Sequence, residues 1–179
     1  ANGFEKNALK ILKSKKNLRL IDASNYSLRD SLRIISSNGD MLIQSEDFKK
    51  FSVKDFKIVS KRKPSSIQMK NLIFAFNICR YVKSNAIVLA ADNTTVGIGS
   101  GQPSRIDSCQ IAISKMKKFT NLNEGLVAAS DAFFPFVDGI EKLIQSGVQA
   151  IVQPSGSIKD KDIIKFANKT NTVLVFSKT

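Results

Sequence analysis

Four apolar runs constrain this chain more than any other feature: AIVLAA at residues 86–91, LVAA at 126–129, VQAIV at 148–152 and TVLVF at 172–176. They lack the strict polar–apolar alternation of a strand with one wet face, so each reads as a strand buried on both faces. The first is followed by a polar turn, Asp92 to Thr95, and by a second strand, Val96 to Ser100. The other three are separated by segments of helical period. Ile106, Cys109, Ile113 and Met116 make one such face, and Phe136, Ile140, Leu143 and Ile144 make the next, with Pro135 suited to its first turn and Gly147 to its stop. Lys159 to Asn168 forms the third. Strands alternating with helices imply parallel pairing through helical crossovers.

Upstream, Ser65-Ser66-Ile67-Gln68 has the spacing of a capping box, in which the Ser hydroxyl and the Gln amide satisfy orphan backbone N–H groups. The helix it opens is expected to run to about Val82 and to bury Leu72, Ile73, Phe76, Cys79 and Val82 or close neighbours. Pro64 marks a change of character. Residues 1–63 read as a linking arm with a helix at 4–14, a short strand at Leu18 to Ile21, two strand-like runs at 28–35 and 41–44 around the turn Asn38-Gly39, and an irregular connection at 46–63. Residues 64–179 read as the folded subdomain. The expected fold class is α/β: a three-layer α/β/α sandwich with a mixed, mostly parallel sheet and one antiparallel edge strand, the arrangement of the cytidine-deaminase-like fold.

That fold suggests zinc chemistry, but zinc deaminases need a His or Cys ligand, a Glu proton shuttle and a Pro-Cys-x-x-Cys pair. The chain has no His and only two Cys, Cys79 and Cys109, both on apolar helix faces, so no metal ligand set is expected. A serine triad and imidazole acid–base chemistry are excluded on the same ground. The net charge of +13 favours polyanionic partners. The lysines, however, scatter over nearly every helix, and Lys61-Arg62-Lys63 is the one compact patch, which argues against a nucleic-acid face. No apolar run approaches the ~20 residues of a membrane span, and no signal peptide precedes the first helix, so a cytoplasmic piece of a longer protein is expected.

The unusual chemistry gathers at strand ends. Asn85 precedes a buried strand and can both donate and accept, which suits a carboxamide or an amine. Gly97-Ile98-Gly99-Ser100-Gly101 lacks the Lys of a phosphate loop and is equally read as a tight strand-to-helix turn. Arg105 sits in the first turn of the next helix, where an anion is favoured. Phe133, Phe134 and Phe136 flank Pro135 at a strand-to-helix junction, where a flat ring can stack, and Asp131 and Asp138 cap helices or bind ligand. Pro154 to Ser157 lies at the next strand end. Four loops of one sheet edge thus carry the odd residues.

YVKSNAIV, VGIGSGQPSRID, ASDAFFPFVDGI and QPSGSIKD, in this order and spacing, closely resemble the C-terminal half of the aminoimidazole carboxamide ribonucleotide (AICAR) transformylase region of the bifunctional purine biosynthesis enzymes, whose other activity is inosine monophosphate (IMP) cyclohydrolase. The resemblance implies formyl transfer from 10-formyltetrahydrofolate to the 5-amino group of AICAR, without a catalytic metal, at sites formed across a homodimer. It implies that Asn85, with a catalytic role as well, Arg105 and Phe133 contact AICAR. It implies that Ile106, Asp138, Ser157 and Ile158 line the folate pocket, and that Asp131 belongs to a structural monovalent-cation site. The family's Lys-His proton-transfer pair belongs to the other half, and its terminal Arg-His-Phe-x-His segment has no counterpart through Thr179. The alternative reading is a non-catalytic basic module on a deaminase-like scaffold that binds RNA or another nucleotide, or a scaffold with an interaction role alone. These residues by themselves are expected to give negligible formyl transfer in an assay of 10-formyltetrahydrofolate consumption with AICAR; robust turnover would refute the carry-over of roles.

Overall fold

The computed structural model describes residues 1–25, 32–118 and 125–178, which divide into two compact units, Ala1–Lys49 and Lys50–Thr179. The first unit holds helix α1 (Lys6–Lys13) and a two-stranded antiparallel hairpin, β1 (Leu32–Ser37) and β2 (Asp40–Ser45). Asn38 and Gly39 both take positive φ at its turn, as the Asn-Gly pair implies. The N-terminal amine donates to the Ile21 carbonyl and Ala23 N–H to the Ala1 carbonyl, so residues 21–23 return beside the start of the chain. Leu18 to Ile21 is not a strand. It makes no ladder with another segment among the described residues, and a strand needs a partner for its backbone groups. Of the run expected at 28–35, residues 28–31 lie outside the described residues.

The second unit is built on an open six-stranded sheet of order β3-β8-β7-β6-β4-β5. Its strands are β3 (Phe56–Ile58), β4 (Ile87–Ala91), β5 (Thr94–Gly99), β6 (Val127–Ser130), β7 (Ala150–Pro154) and β8 (Val173–Ser177). Helices α2 (Ser66–Cys79), α3 (Arg105–Met116), α4 (Val137–Gln145) and α5 (Asp160–Lys169) alternate with them. The pairs β6–β7 and β7–β8 are parallel, as the helical crossovers require. The other three pairs, β3–β8, β4–β5 and β4–β6, are antiparallel. The sheet is therefore mixed and partly parallel rather than mostly parallel. The difference arises because the hairpin inserts β4, not β5, next to β6, and because a further antiparallel strand closes the far edge.

That far strand, β3, falls in the connection expected at 46–63. Its three residues are too few to show a period, yet Phe56, Lys57 and Ile58 pair with Ser177, Phe176 and Val175. Side chains fix the segment further. Asn77 on α2 accepts from Phe51 N–H and donates to the Phe51 carbonyl, both at 2.9 Å. The ring of Phe51 meets that of Phe76 edge-on at 4.8 Å between centroids. Ser60 is buried, accepting from Leu174 N–H at 2.8 Å and donating to the Arg62 carbonyl at 2.7 Å. Residues 50–63 thus pack with the larger unit, although the sequence groups them with the arm.

Alternation along the buried strands sorts the core into two faces. Val88, Ala90, Val127, Ala129, Ala150, Val152, Val173 and Val175 meet Leu72, Ala75, Phe76 and Cys79 of α2. Ile87, Leu89, Ala128, Ile151 and Leu174 meet Cys109, Ala112, Ile140, Leu143, Ile163 and Ala167 of α3, α4 and α5. Some expected faces rotate. Ile73, Val82, Ile106 and Ile113 are half-buried, while the smaller Ala75, Ser108 and Ala112 take the fully buried positions. Small residues there let the helices lie close to the sheet. Helix α2 stops at Cys79, and Tyr81 and Val82 N–H groups bond back to Ile78 and Cys79 in a tighter turn. Its capping box is complete: Gln68 N–H donates to Ser65 Oγ at 3.1 Å, and Ser65 N–H to Gln68 Oε1 at 3.0 Å. Helix α4 starts later than Pro135 implies, with Phe136 as its first flanking residue in extended backbone, so Phe136 is exposed rather than part of the packed face.

The glycines of the 97–101 loop have a packing explanation. A Cβ on Gly97 would stand 2.1 Å from the Ala112 carbonyl oxygen, and one on Gly99 would stand 1.9 Å from that of Ser108. Their absence lets α3 press its backbone onto β5. Because backbone is the obstacle, Gly99→Ala is expected to lower stability to urea by about 1–3 kcal/mol, with α3 shifted outward. An unchanged unfolding midpoint would contradict the close approach.

Candidate functional site

β4 runs opposite to its neighbours, so its start lies at the same sheet edge as the ends of β5, β6 and β7. Ile87 pairs with both Gly99 and Ser130, which brings Asn85, the 100–105 loop and the 131–136 loop together. The side chain at the centre is Arg105. Its Nη1 donates to Asp131 Oδ1 at 2.5 Å and to Ser130 Oγ at 3.0 Å, and its Nη2 donates to Asn85 Oδ1 at 2.8 Å. The Arg105 side chain is 10% exposed and that of Asp131 is 17% exposed, so this ion pair is largely shielded from solvent.

The partners are held in turn. Asn85 Nδ2 donates to the carbonyls of Gln102 and Pro103, at 2.8 and 3.1 Å. Ser108 Oγ on α3 donates to the Asn85 carbonyl at 2.7 Å. Asp131 accepts from the Ala86 N–H through Oδ1 at 3.0 Å and from the Ser84 hydroxyl through Oδ2. Ser130 Oγ donates to the Ala132 carbonyl at 2.6 Å. Burial alone would raise the Asp131 carboxyl, but the Ser84 hydroxyl, the Ala86 N–H and the Arg105 guanidinium together hold it below the ordinary carboxylate value. Every contact of this carboxylate is a donor, and one is already a cation. Among the described residues no cluster of His, Cys, Asp and Glu could hold a metal ion. Cys79 and Cys109 are buried, and burial pushes the Cys109 thiol up to about 12 and that of Cys79 further. Neither is a nucleophile at neutral pH.

Beside the network opens a cavity of about 560 Å³. Asn85, Arg105, Ile106, Phe133 and Asp138 line it, together with Phe134, Pro135 and Phe136. Phe134 is buried and packs beneath Gly139, where a Cβ would stand 2.8 Å from its ring. Phe133 and Phe136 are exposed and form the open aromatic wall. Ser157 and Ile158 follow β7 at the same sheet edge but do not line this cavity, and Ile158 is 99% exposed. Ser84, Ser130 and the Gln102 and Pro103 carbonyls were not legible as site groups. The Ser side chains look like ordinary strand-end residues, and backbone carbonyls leave no mark in a sequence.

The Lys61-Arg62-Lys63 patch lies elsewhere. Arg62 and Lys63 line a cavity of about 440 Å³ with Ser65, Gln68, Gly125 and Gln149, near the starts of α2, β6 and β7. Among the described residues its lining has no aromatic side chain on which a base could stack. No helix among the described residues is long and apolar enough to cross a membrane.

In open α/β sheets small molecules are generally bound in hollows of this kind, where strand-end loops converge. The family model described as AICARFT/IMPCHase bienzyme matches residues 1–115. The chain is 46% identical over 178 residues to the bifunctional purine biosynthesis protein PurH of Oenococcus oeni, covering 99% of this chain and 35% of that protein. It is 44% identical over 178 residues to PurH of Fusobacterium nucleatum, covering 99% of this chain and 34% of the relative. To PurH of Caldicellulosiruptor saccharolyticus it is 42% identical over 178 residues, with coverage of 99% and 34%. The chain belongs to the AICARFT/IMPCHase bienzyme family and spans about a third of the length of these relatives.

A carboxyl group held below its unfolded value stabilises the fold fully above the ordinary carboxylate range. That stability is lost as pH falls through the folded value. Acid unfolding below roughly pH 4 should therefore carry a component from Asp131. Asp131→Asn, which keeps an oxygen for Arg105, should flatten that part of the stability-versus-pH curve followed by circular dichroism. An identical acid limb in the variant would contradict the ion pair.

Proposed function

We propose that this chain is the substrate-binding C-terminal part of an AICAR transformylase, on a three-layer, cytidine-deaminase-like α/β/α scaffold. Its parent transfers a formyl group from 10-formyltetrahydrofolate to the 5-amino group of AICAR in the cytoplasm, working as a homodimer and also carrying IMP cyclohydrolase activity. The observation that carries this reading is the lining of one cavity by Asn85, Arg105, Phe133, Ile106 and Asp138.

In the reaction the AICAR amine nitrogen bonds to the formyl carbon, the bond from that carbon to the folate nitrogen breaks, the amine loses a proton and the departing folate nitrogen gains one. Asn85 Oδ1 accepts one hydrogen bond from Arg105 and retains a second lone pair for an amine N–H. Both Asn85 amide hydrogens are already taken by backbone carbonyls, so Asn85 orients the nucleophile as an acceptor and does not donate to an oxyanion. Arg105 has five N–H groups, and its Nε–H and one Nη2–H have no partner among the described residues. They are free to donate to a carbonyl oxygen of the ligand. Phe133 supplies a face for the imidazole ring. Ile106 and Asp138 supply an apolar contact and an acceptor for the pterin, and Ser157 and Ile158 extend that surface along the sheet edge. Of the groups placed around the amine, Asn85, Arg105 and Phe133 are not proton acceptors, and the chain has no His. The acceptor belongs to the remainder of the parent.

Titration calorimetry with AICAR and with 10-formylfolate tests the assignment. Arg105→Ala and Phe133→Ala should each weaken AICAR by roughly 10-fold or more, and Asp138→Asn should weaken the folate and spare AICAR. Salt-steep affinity for single-stranded RNA, indifferent to Asn85 and Phe133, would replace this reading with the basic-module one.

A further inference from the structure

The first unit, Ala1–Lys49, has no interior of its own. None of its described residues is buried, and every residue of β1 and β2 is exposed. The register sorts the hairpin into two faces, because residues paired across antiparallel strands project to the same side. Ile34 pairs with Ile43, Ser36 with Met41 and Leu32 with Ser45. One face therefore carries Leu32, Ile34, Met41 and Ile43 and no charge. These four side chains are 57–67% exposed. The other face is mixed: Ile35 and Leu42 lie between the pairs Arg33 with Gln44 and Ser37 with Asp40, so it carries a charge of each sign.

A two-stranded hairpin alone is marginally stable in water, and an uncharged apolar face marks a surface that a partner covers. The size of the face decides which partner. A stable association of two free proteins buries about 800 Å² on each, and four side chains on strands of six residues supply well under that. A second copy of this chain is disfavoured further, since each copy carries a net charge of +13 and like charges repel. A partner on the same polypeptide is different. Its effective concentration is roughly millimolar, so a small face is enough to hold it. Such polypeptide is on hand: the chain covers 35% of the Oenococcus oeni PurH, and about two thirds of that protein lies outside the match.

We propose that the face made by Leu32, Ile34, Met41 and Ile43 docks on an uncharged apolar surface of the parent's remaining polypeptide, with the hairpin acting as an interdomain clasp. This rests on the chain being part of a longer transformylase, and not on the roles given to Asn85, Arg105 or Phe133. The mixed face, with Arg33, Asp40 and Gln44, stays in solvent.

Amide hydrogen exchange followed by mass spectrometry, on the 179-residue chain and on the full-length parent, is the test. Residues 32–45 should exchange about 100-fold or more slower in the parent, while β6, β7 and β8 are protected alike in both. In the parent, Ile34→Lys combined with Ile43→Lys should return the hairpin to the short chain's rate. Gln44→Lys, on the mixed face, should leave it protected. In the short chain the double variant should leave the urea midpoint unchanged. Equal exchange of residues 32–45 in both proteins overturns the inference, even where the double variant of the parent fails to fold. So does equal loss of protection from Gln44→Lys. Protection in the short chain that rises with its concentration assigns the face to a second copy and overturns the inference as well. Calorimetry of the parent with AICAR separates the two readings. Binding with an unprotected hairpin overturns this inference alone, and a protected hairpin without binding overturns the transformylase reading alone.

Discussion

The ion pair between Arg105 and Asp131 is the contact on which the site's geometry depends. It joins the first turn of α3 to the loop after β6, two segments 26 residues apart that no local interaction would align. A shielded pair of this kind adds little to stability by itself, because desolvation offsets attraction, but losing one partner leaves a costly buried charge. Its role here is to fix direction. With Asn85 and Ser130 as further acceptors, the guanidinium has one orientation, and three strand-end loops share it.

Those loops can meet because the sheet beneath them is rigid and open-ended. Strands β4, β6, β7 and β8 are buried on both faces, so their register is set by apolar packing rather than by the loops. The antiparallel insertion of β4 turns Asn85 toward the ends of β5 and β6. The glycines of β5 let α3 approach close enough for Arg105 to reach across. Fold and site are coupled through a few close backbone contacts, and the aromatic wall of Phe133 and Phe136 then completes a hollow that is polar on one side and flat and apolar on the other.

Much of this was legible in the sequence, for physical reasons that differ by element. The buried strands announce themselves through unbroken apolar runs, and Ser65 marks a helix start because a cap needs a hydroxyl at one position. Asn85, Arg105, Phe133, Ile106 and Asp138 could be placed at one edge once strand order was known. β3 could not be read, since a three-residue edge strand is defined by its partner β8 and by Asn77 and Ser60, all distant in sequence. The balance of parallel and antiparallel pairs was misjudged because alternation fixes burial, not neighbour order. The commitment of Asn85's amide to backbone carbonyls was equally invisible, and it leaves that residue only its acceptor side for a ligand and makes it an anchor. Ser157 and Ile158 share the edge without lining the cavity, so strand-end position alone did not determine their surroundings.

The most direct test of the central claim, that these loops form one ligand site, is a two-dimensional amide spectrum of the chain recorded during AICAR addition. The account predicts saturable shifts confined to residues 84–86, 102–106 and 131–139, moving together with one dissociation constant. Shifts concentrated near Arg62 to Gln68, or separate constants for the three loops, would contradict it.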